Sequence, residues 1–428
     1  MEFIKNKLIS LNFINDHKVS PKDFLRKRKL PFIDVFILIF RKSVKSLQVM
    51  LNEFILYTMR DYTVTASAFT QVRQKLKYTA FSELNDDVVS LYYQDQEFKT
   101  HHGFRVLAFD ASILILPKSD EVIEEFGSRA VWNGVQRFED YTSATFEACY
   151  DVLNNIAIKS VLSRGDSYEV DLATDMLEGL SSDDLLICDR GYVSYRFIAE
   201  LTERKINYVI RCPSSSFSEV NDMFKPGSPS STIAVATAPI KVARQLRKLG
   251  LPDEMEFRLV KIILSSGEIE VLITSLLDEQ QFKVEEFEEL YYLRWGIETF
   301  FSKLKGRLGL ENFTGKSVET IKQDFWSTIF ISNLESIMTE DVEEALNADL
   351  ADSKLEKSIN KSVSFNAIKN LAFDIFSTES DMDCVMEQLS KLFLTNTLVV
   401  RKGRKVDLHK ISDVRSLNYQ KRARKHVF

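Results

Sequence analysis

Two stretches of the chain, Arg105-Val106-Leu107-Ala108-Phe109 and Asp184-Leu185-Leu186-Ile187-Cys188, each carry four apolar residues in a row, and each is followed by an aspartate, Asp110 and Asp189. Runs this short, bounded by polar or turn-prone residues, read as buried strands that deliver an Asp at their ends. A single Asp there is more often a turn or cap residue than a reactive group. Two of them, far apart in sequence and set in the same local pattern, point to reactive groups carried on one sheet.

The surrounding pattern supplies that sheet. Strands are expected at Val106 to Phe109, continuing through Ile113 to Leu116, then at Ala144 to Val152 and Ile156 to Leu162, with Asn154-Asn155 as a hairpin signal. A helix follows at about Tyr168 to Leu180, a strand at Leu185 to Cys188, a helix at Tyr195 to Glu203 and a strand at Ile206 to Arg211. The order is three antiparallel strands followed by alternating helix and strand, an α/β class of fold. Pro213-Ser214-Ser215-Ser216 then opens a segment reaching to Asp278, with strand-like runs at Arg258 to Leu264 and Glu268 to Thr274 around Ser266-Gly267. It reads as a β-rich insertion.

A third carboxylate lies downstream, in YYLRWGIETFFSKLK. If residues 291–305 form one α-helix, Tyr291, Arg294, Glu298 and Lys305 fall within roughly 60° of one another. Leu290, Leu293, Ile297, Phe300, Phe301 and Leu304 form the neighbouring core face, and Trp295 borders the polar stripe. A solvated face with an incidental ion pair is the plain alternative. The Arg and the aromatics in the stripe favour a site. Asp110, Asp189 and Glu298 together make three carboxylates able to converge on hard divalent cations, which prefer oxygen ligands.

The pattern Y-x2-R-x3-E-x6-K, filled by Tyr291, Arg294, Glu298 and Lys305, resembles the signature of the DDE transposases of the IS-four family of bacterial insertion sequences. Asp110 in FDAS and Asp189 in CDRGY resemble that family's first and second catalytic Asp. The resemblance covers roughly residues 100 to 312. It implies a ribonuclease-H-like core, a mixed sheet flanked by helices, with the β insertion before the Glu-bearing helix. It also implies Mg2+, with Mn2+ as substitute, held by the three carboxylates, and phosphate contacts from Tyr291, Arg294 and Lys305. Arg190 is a further candidate for DNA contact, and Trp295 for stacking on an unpaired base. Relatives that pass through a DNA hairpin carry a second Trp in the last strand of the insertion. This chain has none between Trp132 and Trp295; Glu268-Ile269-Glu270-Val271-Leu272 stands there instead.

A formal charge of −6 looks wrong for a DNA-handling protein until its distribution is read. Residues 1–50 carry eleven Lys and Arg against four acids, residues 401–428 carry ten against two, and the stretch between is strongly acidic. Basic ends around an acidic middle suit a protein that grips DNA at its extremities. Arg26, Lys27, Arg28 and Lys29 are the densest cluster and the candidate end-recognition residues. Ser20-Pro21-Lys22-Asp23 and Thr63 to Ser67 are expected helix starts. The apolar run Leu30 to Phe40 is too short to span a bilayer, contains Asp34, and reads as a buried helix. Four scattered cysteines without a CxxC pair fit a reduced cytoplasm, and the resemblance implies a bacterial, nucleoid-associated protein.

The expected organisation is a helical DNA-binding domain over 1–98, a catalytic core over 99–212 and 279–315, a β-rich insertion over 213–278, and a helical C-terminal region with a basic tail over 316–428. The resemblance implies a transposase that binds terminal inverted repeats in double-stranded DNA, cleaves at the ends and transfers the 3'-ends, acting as a homodimer on paired ends. The rivals are a structure-selective nuclease on the same fold and an inactive transposase-derived repressor.

Overall fold

The computed structural model describes residues 1–26, 28–43, 45–95, 97–132, 137–264, 267–348, 356–377 and 380–400. Lys27, Ser266 and the basic tail lie outside the described residues. The chain divides into two compact units, one made of Met1–Gln96, Ile115–Ser143 and Lys303–Phe428, the other of Glu97–Leu114 and Ala144–Ser302.

The second unit is built on a mixed sheet. Its strands are β1 (Arg105–Ile115, the last residue counted with the first unit), the inner part of β3 (Arg137–Asp151), β4 (Ile156–Arg164), β5 (Asp184–Cys188) and β6 (Asn207–Cys212), with β7 (Ser231–Thr237), β8 (Glu254–Ile263) and β9 (Ile269–Thr274) completing it. In space they follow the order β4-β3-β1-β5-β6-β9-β8-β7. The β3–β4 hairpin is antiparallel, with Asn155 at φ 59° in its turn, as the Asn-Asn signal predicts. β5 runs parallel to β1 and β6 parallel to β5. Counting core strands in chain order gives third-second-first-fourth-fifth, the order of a ribonuclease-H-like sheet. β9, β8 and β7 then add antiparallel to the edge of β6. The segment between Arg211 and Asp278 therefore extends the central sheet; it also carries two helices, Ser218–Met223 and Ile240–Lys248.

β5 is buried at every residue, and the core cluster takes Leu107 and Phe109 from β1, Leu186 and Cys188 from β5, and Phe197 and Leu201 from the helix Tyr195–Glu203. Burying each large apolar side chain contributes about 1.5–3 kcal/mol. That helix starts where Ser194 accepts from the Phe197 N–H.

The first unit is helical around the 31-residue helix Val318–Ala348. The expected buried helix spans Phe32–Phe40, and Phe36 stacks on Phe81 at 4.3 Å and meets Phe376 edge-on at 5.7 Å. Thr65 caps the helix Ala66–Arg73. In this unit β2 (Ser128–Trp132) pairs antiparallel with the outer part of β3. No helix begins at Ser20, contrary to the sequence expectation. The Asp23 carboxylate accepts from the Ser20 N–H, closing a turn, and Phe24 at φ 57° ends it before a second turn can form. Among the described residues no helix is long and apolar enough to cross a membrane.

Candidate active site

The site begins with register. In the parallel pairing of β1 and β5, Val106 stands opposite Leu185, and so on to Phe109 opposite Cys188. Asp110 and Asp189 are the next residues on each strand, so they leave neighbouring strands at the same level, where strands are about 4.8 Å apart. Period-two alternation sends Leu107 and Phe109 into the core cluster and Asp110 to the opposite face. Asp189 ends its strand and precedes a single 3-10 turn, Arg190–Tyr192. Asp110 does not end its strand, since β1 continues to Ile115; it lies where the parallel ladder stops.

Glu298 arrives on the helix Trp295–Ser302, which packs through Phe300 and Phe301 on β3: Tyr150 stacks on Phe300 at 4.4 Å, and Phe146 meets Phe301 at 5.1 Å. Gly296 makes this approach possible. A Cβ there would lie 3.2 Å from Cγ1 and 3.3 Å from Cβ of Val152. We expect Gly296→Val to push the helix off β3 and lower Glu298-dependent activity by about tenfold or more while circular dichroism stays native, since misplacement on the ångström scale costs rate steeply. Wild-type activity in that variant would refute the tight-approach reading.

The single helix expected over 291–305 is interrupted. The helix Phe287–Tyr292 stops, Arg294, Gly296 and Ile297 bond three residues back, the helix Trp295–Ser302 follows, and Lys303–Arg307 form a π turn. A constant 100° per residue therefore does not relate the four signature residues. The first three meet all the same. The Tyr291 hydroxyl donates to Asp189 Oδ1 at 3.3 Å, and Arg294 Nη2 donates to Glu298 Oε1 at 2.9 Å. Tyr291 and Arg294 are buried, while Trp295 is 43% exposed, with the Arg294 guanidinium 5.1 Å from its ring centroid. Lys305 lies in the π turn, counted with the first unit, and Arg190 is exposed beside Asp189. In the first unit Arg26 and Arg28 are exposed, and Lys29 donates to the Thr63 carbonyl and lies over the Tyr62 ring.

Two neighbours escaped the sequence reading. Arg211 on β6 donates to Asp189 Oδ1 from Nε at 2.9 Å and to Glu270 on β9 from Nη1 at 2.7 Å. Burial works to raise the Asp189 pKa, but the Arg190 N–H, Arg211 and Arg294 outweigh it and hold the carboxylate below its ordinary value. For Asp110 such help does not outweigh burial. Burial pushes it up to about 6, the Ala111 N–H and Arg294 pull it down, and the charges of Glu298 and Glu169 add to the rise. Asp110, Glu298 and Arg294 therefore share one electrostatic neighbourhood. Glu147 is the second. It is fully buried on β3, accepts from the Tyr192 hydroxyl at 2.7 Å, has its other oxygen without a hydrogen-bond partner among the described residues, and is driven up to about 9 by burial.

Glu147 is thus a neutral acid at pH 7. A carboxyl whose folded pKa is raised contributes stability at low pH that is lost as pH climbs through that value. We expect this contribution to fall steadily as pH rises from about 4.5, the ordinary carboxyl value, to about 9 and to level off above it, and Glu147→Gln, an isostere of the neutral form, to flatten that fall in urea melts. An equal fall in both proteins would remove Glu147 as its source.

A cluster of buried and half-buried carboxylates tied to guanidinium groups is an all-oxygen donor set suited to a hard divalent cation. A cation beside Asp110 would favour its ionised form, which burial penalises. In this arrangement no three His, Cys, Asp or Glu side chains among the described residues stand close enough to enclose an ion.

The transposase DDE domain family matches residues 101–334, which take in Asp110, Asp189 and Glu298. The transposase InsG for insertion sequence element IS4 of Escherichia coli (strain K12) is 24% identical over 277 residues, 63% of this chain and 60% of that protein. This chain thus matches less than two thirds of that relative's length. A cryo-EM structure of a piggyBac transposase synaptic complex with hairpin DNA superposes over 92% of this chain and 85% of that one, at 11% identity and a TM-score of 0.46, too loosely to bear on the site. The family match alone spans more than half of the residues and agrees with the resemblance read from Tyr291, Arg294, Glu298 and Lys305: the chain belongs to the transposase DDE domain family.

Proposed function

We propose that this protein is a transposase that binds the terminal inverted repeats of an insertion sequence in double-stranded DNA, cleaves at the ends and transfers the 3'-ends to target DNA. The observation that carries this reading is the level placement of Asp110 and Asp189 on adjacent parallel strands, with Glu298 brought into the electrostatic neighbourhood of Asp110. Asp110, Asp189 and Glu298 are the catalytic residues and the metal ligands. DDE transposases use divalent metal ions; here Mg2+ is the natural ion, with Mn2+ as substitute. Bound at such a site, they supply Lewis acidity to the attacking and leaving oxygens of an in-line displacement at phosphorus.

The chain's own groups have distinct tasks. Tyr291 and Arg211 orient Asp189 through hydrogen bonds. Arg294 holds Glu298 and presents a planar fork suited to a phosphate near the cleaved bond. Lys305 and Arg190 supply point and fork charges to the backbone, and Trp295, with nearly half its surface exposed, offers a stacking face for an unpaired base. Arg26, Lys27, Arg28 and Lys29 bind the end sequence, and two copies join on paired ends as a homodimer.

The test is incubation of full-length protein with duplex DNA bearing the inverted repeat of its own element and Mg2+. We expect cleavage at the end and joining to a second duplex, in complexes holding two protomers. Cutting that follows DNA structure and ignores the end sequence would instead identify a nuclease, and end binding without cutting a repressor.

A further inference from the structure

The first unit contains a cavity of about 130 Å3 lined by Lys42, Arg73, Phe69, Phe313, Thr314 and Gly315, among others, with the exposed Lys45 and Thr70 on its rim. Its volume is about that of four water molecules in the liquid, enough for one tetrahedral oxyanion. Its charge balance is unusual. Arg73 is fully engaged: it bonds Asp324 at 2.8 Å, Gln323 at 2.7 Å and the Thr320 carbonyl at 3.1 Å, and also Thr314. Asp324, the carboxylate whose charge reaches both neighbouring lysines, is therefore already committed to Arg73.

Those lysines have much less. Lys42 is 6% exposed, and of the three donors on its ammonium one bonds the Leu310 carbonyl at 3.2 Å; no other hydrogen bond of that group occurs among the described residues. The ammonium also lies 5.4 Å from the centroid of the Phe313 ring. Lys369 reaches in from the helix Lys361–Asn370 and donates to the Lys42 carbonyl at 2.9 Å. The Lys42 side chain thus lines the cavity without a carboxylate of its own, and a second ammonium, that of Lys369, is held at the Lys42 carbonyl behind it, an arrangement that is expensive unless an anion completes it.

We propose that this cavity binds an oxyanion of phosphate chemistry, held by Lys42 with Lys369 adding charge behind it. The site lies in the unit that does not contain the three carboxylates, and the inference does not depend on the proposed transposition activity. The same chemistry arises from free phosphate and from the backbone of a nucleic acid. The free donors of Lys42 bond the anion's oxygens, and desolvation strengthens the pairing relative to a surface contact. The burial that now pushes the pKa of both lysines down, Lys369 to about 8, is offset once the anion is bound.

Thermal unfolding of the full chain is measured against sodium phosphate, with sodium chloride at matched ionic strength. Phosphate stabilises most proteins weakly by exclusion, so the informative quantity is the saturable part of the rise and its dependence on Lys42. We expect a saturable rise for wild type and a half-saturating concentration raised about tenfold or more in Lys42→Met. Lys369→Met, at a half-buried position, should weaken binding in the same direction. Broadening of the phosphorus NMR line of inorganic phosphate reads the same binding without unfolding, which covers a variant that folds poorly. Displacement of phosphate by a short duplex oligonucleotide assigns the bound group to a nucleic-acid backbone; retention assigns it to free phosphate. Equal phosphate responses in wild type and both variants, or a line no broader than with a neutral protein, would overturn the proposal.

Discussion

Glu298→Gln is expected to abolish DNA strand cleavage while end binding persists. Glutamine keeps the shape and the acceptor that Arg294 Nη2 uses, so the helix Trp295–Ser302 and its packing on Phe146 and Tyr150 should survive. The lost property is the negative charge facing Asp110, which already titrates near 6 under the joint influence of burial and Glu298. Removing one of the three proposed carboxylate ligands is expected to cost at least about 4 kcal/mol of transition-state stabilisation, a rate loss of about a thousandfold. Gel-shift assays on end-containing duplex report binding, and nicking of the same labelled duplex reports chemistry. A parallel loss of both would mean that Glu298 supports the fold or the DNA contact, and a variant that cuts at the wild-type rate would dismiss Glu298 as a ligand. Asp110→Asn provides a second, independent reading. It should remove cleavage as well, yet stabilise the protein above pH 6, because a buried carboxylate with a raised pKa loses stability as it ionises.

What could be read in advance follows from the range of the interactions. The two aspartates were visible because a buried strand writes itself as a short apolar run, and parallel pairing converts two such runs into one level. Glu298 was visible through its neighbours at fixed spacing, although the helical geometry first used to relate them fails at Leu293 and Arg294, where the bonding tightens to three-residue steps. Arg211 and Glu270 were hidden for a different reason. Their meeting requires β9 to pair with β6, Arg211 standing opposite Leu272, a long-range register that no local pattern specifies. Glu147 was hidden because one acid among apolar strand residues reads as solvent-facing; that its face is covered by Tyr192 depends on packing from the turn after β5. The turn at Ser20 shows the opposite error: good capping residues promise a helix, but Asp23 reaches back to Ser20 and Phe24 adopts a left-handed conformation.

Arg73→Met is expected to produce the largest loss of stability in the first unit, about 3–5 kcal/mol in urea unfolding, because it leaves the Asp324 carboxylate buried without its partner. Arg73 closes the helix Ala66–Arg73, Asp324 lies in the second turn of the helix Val318–Ala348, and the Thr314 N–H and hydroxyl complete the carboxylate's shell. Burial alone would raise the Asp324 pKa; Arg73, Lys42 and Thr314 reverse the sign and hold it below the ordinary carboxylate value. A depressed carboxylate contributes stability that is present above its unfolded pKa and lost as pH falls through the folded one. Wild type should therefore lose this contribution only in strong acid, below about pH 4, whereas Arg73→Met should lack it at neutral pH and show a shallower acid-induced decline. Pairing Arg73→Met with Asp324→Leu should recover part of the loss, since removing both charges removes the unpaired ion together with the bridge. If the single and double variants were equally unstable, the loss would come from disturbed helix packing, and the buried charge would not be its source.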